Sequence, residues 1–324
     1  MNRRDFLTGL STSVGFATLA SCFPRFAFAQ EKKGQYFVLI YLPAGWDVSL
    51  ATAPWIDSTR PAESEYFLEY RQDELIKTSY GFVGPAMKPM EKYLENLRII
   101  NGVYINATDV GHPSPSMYAM TGNGQGANST LSAEIDFNID KKPFGTIAKG
   151  PIVNSGKSLN VMDADSLFTM QKADMSSLIT TNSQKMTDVT RAKLSLLQNQ
   201  DRIDQYFKNL EDIRKTSENS SNIDAIIAAF AADLSSTAFI ESKSGNLDTH
   251  SAHPGNHMKN LTEAFTEIAE IIGKFEKFSF DGQNSLLSQT TFMIVSDFAR
   301  TPALNASQGK DHNAQSNSII TIGP

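Results

Sequence analysis

The chain has 324 residues, with 29 Lys and Arg against 35 Asp and Glu, a net charge of −6 and 40% hydrophobic residues. This acidic balance argues against nucleic acid and against an anionic membrane face as the main partner. Its one cysteine, Cys22, excludes a disulfide within the chain, so stability must come from core burial or bound metal.

The chain begins Met1-Asn2-Arg3-Arg4-Asp5-Phe6-Leu7. An arginine pair followed by an acidic spacer and Phe-Leu is a twin-arginine export address, which makes the Tat translocase the expected export partner. The weakly apolar stretch from Leu10 to Ala20 falls short of the ~20 residues a permanent bilayer helix needs. Pro24 then breaks the helix, and Ala27-Phe28-Ala29 supplies small residues for cleavage before Gln30. Residues 1–29 are therefore expected to be a signal peptide, and residues 30–324 a single periplasmic or secreted domain. Leu19-Ala20-Ser21-Cys22 also reads as a lipobox, and acylation of Cys22 would anchor the chain to a membrane.

Tyr36 to Leu42 is a continuous β-branched and aromatic run, the pattern of a strand buried on both faces. Pro43-Ala44-Gly45 ends it, and Asp47 stands just beyond. Leu97 to Val103 is a second predicted strand, followed by a polar loop with His112, and Ser158 to Met162 is a weaker third. A helical segment is expected over about 187–240: apolar residues at Ile203, Phe207, Leu210 and Ile213 mark one helix. After a polar break at 217–222, the Ala-rich stretch Ile223–Ile240 marks another. Leu261, Phe265, Ile268, Ile271 and Phe275 form the stripe of a third helix. Thr290–Val295 is a buried strand with Ser296-Asp297 at its end. Ser318–Ile322 is a last strand running into Gly323-Pro324, which suggests a truncated chain. Strands alternating with helices predict an α/β fold with a mostly parallel sheet flanked by helices. Ligands collect at the carboxyl ends of such strands, where Asp47, His112 and Asp297 fall.

The five histidines, His112, His250, His253, His257 and His312, all read as residues of polar loops or helix starts, with His253 and His257 as caps of the third helix. Asp248-Thr249-His250 and Asp311-His312, together with Asp47 and Asp297, form an ordered series of carboxylates and imidazoles. Zn²⁺ or Mn²⁺ suits mixed N/O donors, and Ca²⁺ or Mg²⁺ suits the carboxylates.

Five short motifs in this order carry a resemblance. They are Pro43-Ala44-Gly45-Trp46-Asp47, His112 ahead of Thr121-Gly122, Asp248-Thr249-His250, Ser296-Asp297-Phe298-Ala299-Arg300-Thr301-Pro302 and Gly309-Lys310-Asp311-His312. Together they resemble the Tat-exported family called domain of unknown function 1501, a sulfatase-like branch of the alkaline phosphatase superfamily. The resemblance implies an alkaline-phosphatase-like α/β core and a divalent metal site. Asp47 and Asp297 would be ligands of one ion. Asp248, His250 and His312 would be ligands of a second or shared ion, with Asp311 beside them. The implied chemistry is hydrolysis of a small phosphate or sulfate ester, with Arg300 pairing with the anion. The nucleophile position falls on His112, with Ser114 and Ser116 close behind, and stays unassigned. Ala44, Val48 and Ala299 stand where the family usually has glycine. A non-catalytic exported binding protein or lipoprotein that keeps the fold is the alternative.

Overall fold

The computed structural model describes residues 35–56, 68–105, 111–125, 127–139, 142–154, 160–170, 199–217, 219–243, 245–279 and 282–324. The predicted signal, Cys22, the start of the third predicted strand and positions 187–198 of the helical segment lie outside them.

Seven strands build the main sheet: β1 (Tyr36–Leu42), β2 (Leu97–Tyr104), β3 (Thr146–Lys149), β4 (Val161–Asp163), β5 (Thr237–Glu241), β6 (Thr290–Ser296) and β7 (Ser316–Ile322). Their spatial order is β2-β7-β6-β1-β5-β3-β4. Neighbours from β6 through β4 are parallel, and β7 runs antiparallel to both β6 and β2. The result is a mixed α/β fold with a mostly parallel sheet.

All seven residues of β1 are buried, as its unbroken apolar run predicts. Val38, Ile40, Phe292 and Ile294 join Phe230, Phe265 and Phe275 in one core. Each such side chain contributes about 1.5–3 kcal/mol by leaving water. Among the described residues the helices are α1 (Pro113–Thr121), α2 (Leu131–Ile139), α3 (Ala164–Thr169), α4 (Gln200–Thr216), α5 (Asn222–Ala231) and α6 (His253–Lys277). α1 lies against β6, and α2 against β5 and β1, while α6 packs on α5 and on the 3₁₀ segment Pro85–Asn96.

One element differs in kind from the sequence reading. The Ala-rich helix expected to reach Ile240 ends at Ala231, Asp233 turns the chain at φ +56°, and Thr237–Glu241 is a strand. β5 lies between β1 and β3, so pairing on both sides overrides a helical propensity that Thr237, Phe239 and Ile240 only weakly share. β3 and the Pro85–Asn96 segment carried no sequence signal strong enough to be read.

Candidate metal centre

The loops that follow β1, β5 and β6 meet at the carboxyl ends of those strands. After β1, the backbone passes Ala44 (φ +81°) and Gly45 (φ +76°). A Cβ at Gly45 would sit 2.2 Å from the Phe298 ring, so this tight turn requires glycine there. The Trp46 N–H donates to Ser296 Oγ (3.1 Å), and the Trp46 indole N–H donates to Asn317 Oδ1 (2.7 Å). These bonds tie the loop to β6 and β7.

Arg300 locks the loops together. Its guanidinium is buried and donates to the carbonyls of Ala44 (2.5 Å), Gly45 (3.1 Å), Leu247 (2.8 Å) and Lys310 (3.2 Å), and to Asp248 Oδ1 (2.8 Å). The role expected of it, pairing with a substrate anion, therefore needs correction: these N–H groups are committed to the protein. Arg300 also pairs with His312 in a two-residue antiparallel ladder, which sets the His312 backbone beside it.

Three imidazoles converge on one carboxylate oxygen. Asp248 Oδ1 lies 2.9 Å from His250 Nε2, 3.2 Å from His312 Nε2 and 3.5 Å from His112 Nε2. His250 Nε2 and His312 Nε2 are 3.0 Å apart. Ligands of a tetrahedral ion with bonds of about 2.0–2.1 Å stand ~3.3 Å from one another, which is the scale of these four separations. Ligand atoms of His112, Asp248 and His312 all lie within 4.8 Å of one another.

Two further carboxylates sit behind the rings. Asp297 is buried; its Oδ2 takes the His112 Nδ1–H (2.7 Å) and the Ala44 N–H (3.1 Å), and its Oδ1 accepts from the Tyr41 hydroxyl. His250 Nδ1 faces Asp311 Oδ1 at 3.3 Å, and Asn305 donates to that same oxygen (3.0 Å). A carboxylate behind Nδ1 fixes the tautomer and leaves the Nε2 lone pair facing the centre, as ligand histidines require. The Asp297 hydrogen bond raises His112 above the ordinary histidine pKa despite its partial burial. Burial opposes ionisation of Asp248, yet the Arg300 and His312 hydrogen bonds hold its carboxyl well below the usual range. Phe298, fully buried, walls the site, with its ring 4.5 Å from His312 and 5.1 Å from His112.

The structure thus brings together His112, Asp248, His250 and His312 as inward-facing groups, and sets Asp297 and Asp311 behind two of them. His112, expected at the nucleophile position, stands among the ligand candidates. Ser116 Oγ donates to the His112 carbonyl (2.6 Å) and also bonds to the Tyr41 hydroxyl, and Ser114 points toward Gly124.

Asp47 lies apart from this group. It is buried and caps the short turn Val48–Leu50: its Oδ1 accepts from the N–H (2.9 Å) and hydroxyl (2.8 Å) of Ser49. Its Oδ2 accepts from His253 Nε2 (2.8 Å) and from the buried ammonium of Lys310 (2.8 Å). Asp47 and Asp297 therefore do not share one ion as expected, because each is already filled by donors from the chain.

His253 and His257, expected as caps, are fully buried on the inner face of α6. Their i, i+4 spacing leads into the stripe of Leu261, Phe265 and Ile268, and that continuity was the available signal. Burial, with the nearby His253, pushes the His257 pKa down to about 3.

The protein family described as "protein of unknown function (DUF1501)" matches residues 155–324, just over half of the chain. The chain belongs to this family. No curated protein matches it. Among solved structures, it is similar to the integral membrane protein lipooligosaccharide phosphoethanolamine transferase A from Neisseria meningitidis, at 11% identity and a TM-score of 0.36. That alignment covers 98% of this chain and 54% of the other. The chain spans about half the length of that protein, and a likeness of this size carries no argument about function. Among the described residues of this DUF1501 chain, no helix is long and apolar enough to cross a membrane.

Proposed function

We propose that this protein is an exported, metal-dependent hydrolase of small phosphate or sulfate esters, built on an alkaline-phosphatase-like core. The observation that carries the reading is the convergence of His112, His250 and His312 on Asp248. Three imidazoles and one carboxylate suit Zn²⁺ or Mn²⁺ better than Ca²⁺ or Mg²⁺, which prefer all-oxygen sets. A divalent ion held there would supply Lewis acidity to an anionic ester. The protein's part is orientation: Asp297 and Asp311 hold two rings, Arg300 holds the Asp248 loop, and Phe298 excludes water from one side. His112, its Nδ1–H held by Asp297, would present its Nε2 lone pair to that ion. Export through the Tat translocase to the periplasm or cell surface rests on Arg3-Arg4-Asp5-Phe6-Leu7. Mass spectrometry of the exported chain distinguishes a start at Gln30 from an acylated Cys22.

The test is metal content of the purified chain followed by assay on aryl phosphate and aryl sulfate esters. We expect stoichiometric Zn²⁺ or Mn²⁺ and turnover that falls at least 100-fold in Asp248→Ala and His312→Ala. Neither bound metal nor turnover in the unmodified chain would sink the proposal. One observation favours a second reading, a metal-binding protein without catalysis: Arg300 is spent on loop carbonyls and leaves no guanidinium for an anion. Stoichiometric metal without turnover on either ester is the outcome that selects it.

A further inference from the structure

Beneath the outer centre lies a second cluster of chemistry-bearing groups, all buried: Asp47, Ser49, His253, His257 and Lys310. The two clusters share their chain segments. Thr249, between Asp248 and His250, turns its hydroxyl inward to His253 Nδ1 (2.8 Å) and His257 Nδ1 (2.7 Å). Lys310, next to Asp311 and His312, turns its ammonium inward to Asp47 Oδ2 (2.8 Å) and Ser49 Oγ (2.8 Å).

Four donors meet the Asp47 carboxylate, two on each oxygen, and one of them carries a full positive charge. Without that ammonium, Asp47 Oδ2 and Ser49 Oγ would face a vacated point inside the protein, with His253 Nε2 2.8 Å from the same Oδ2. A carboxylate, an imidazole and a hydroxyl form a donor set for a divalent ion. His253 can turn its lone pair to such an ion, since its Nδ1 lies 3.2 Å from the Thr249 carbonyl, which can accept the ring proton.

We infer that Asp47, Ser49 and His253 form an inner cation site whose occupant is the chain's own Lys310 ammonium, so that this site takes up a divalent metal only when Lys310 is removed. The tethered ammonium neutralises Asp47 permanently and cannot be stripped by a chelator. It also keeps one positive charge close beneath the loops that carry Asp248, His250 and His312. The inner site stands beside the outer-centre proposal and does not depend on it: the outer site is read from the metal count of the unmodified chain, the inner one from the difference between variants.

The test is a Zn²⁺ titration against a chromophoric chelator, with elemental analysis after gel filtration, on the chelator-stripped chain and on Lys310→Ala and Lys310→Ala/Asp47→Asn. We expect Lys310→Ala to bind one equivalent more than the unmodified chain, and the double variant to return to the original count. An equal count in folded Lys310→Ala and in the unmodified chain would overturn the inference. So would an ion in the unmodified chain that Asp47→Asn releases. If Lys310→Ala is unfolded after stripping, refolding in Zn²⁺ decides. Recovery supports an inner cation site; failure in Zn²⁺ while the double variant folds overturns it.

Discussion

At the scale of single residues, one backbone group sets the proton positions of a whole ring of side chains. The Asp47 N–H can only donate, so His257 Nε2, 2.9 Å away, must accept. His257 therefore carries its proton on Nδ1 and gives it to Thr249 Oγ1. The Thr249 hydroxyl passes its own proton to His253 Nδ1, and His253 donates from Nε2 to Asp47, closing the ring. Since Thr249 lies between Asp248 and His250, losing its hydroxyl unpins both. We expect Thr249→Val to weaken Zn²⁺ binding about 10- to 100-fold and Thr249→Ser to restore it, measured by competition titration. An unchanged affinity in folded Thr249→Val would show that the ring does not position the centre. These contacts were beyond the sequence reading. It could place Asp297 at a strand end and His250 and His312 in polar loops, but it could not tell a group facing the centre from a carboxylate standing behind an imidazole. Asp47 illustrates the limit: its position just past β1 is the same whether it meets a metal or a lysine, and Lys310 gave no sign of being buried.

At the scale of elements, the centre depends on how closely two loops approach. Ser251 and Gln308 form an antiparallel bridge, and Ala252 (φ +46°) and Gln308 (φ +56°) both take left-handed backbone beside it. Gly309 packs against the ligand loop so tightly that a Cβ there would stand 1.8 Å from the His250 carbonyl oxygen. Backbone cannot swing away as a side chain can. Gly309→Ala is expected to cost about 1–3 kcal/mol or more and to weaken metal binding by displacing His250. Gly255, in the first turn of α6, has open space around its added Cβ and serves as control. Gly255→Ala should be neutral or stabilise by up to about 1 kcal/mol. Denaturant unfolding of both variants checks the pair, and equal stability of the two would refute the close-approach argument. Where an element is long and its pattern pure, sequence and structure agree closely. Tyr36–Leu42 and Thr290–Ser296 are buried strands, and the stripe from Leu261 to Phe275 is the buried face of α6. Agreement fails at β5, where Ala225–Ala232 continues into Thr237–Ile240 with no glycine or proline to mark the change. Only the partners on either side make it a strand.

At the scale of the whole molecule, the buried His257 ties stability to pH. His257 titrates near pH 6.5 in an unfolded chain and at about 3 when folded. Between those values the unfolded chain binds a proton that the folded one refuses, so stability falls as the pH drops through this window and levels off below it. The slope for one such proton is about 1.4 kcal/mol per pH unit. Asp47, His253, Lys310 and Arg300 are the charged or titratable groups that act on His257. His257→Gln retains an acceptor for the Asp47 N–H and a donor for Thr249, and loses the titration. Unfolding of chelator-treated protein from pH 4 to 7 should therefore give a shallower slope for the variant, by about one proton. Parallel slopes would mean that His257 is not the group responsible.

The order of the sheet also bears on synthesis. Among the described residues β2 pairs with β7 alone: Leu97 pairs with Ile322, and the register continues to Tyr104 opposite Ser316. β2 therefore stays unpaired until β7, far along the chain, has been made. A product that stops short of β7 cannot complete this sheet. During that interval the exposed edges of β2 and β6 are where nascent-chain chaperones would have to act.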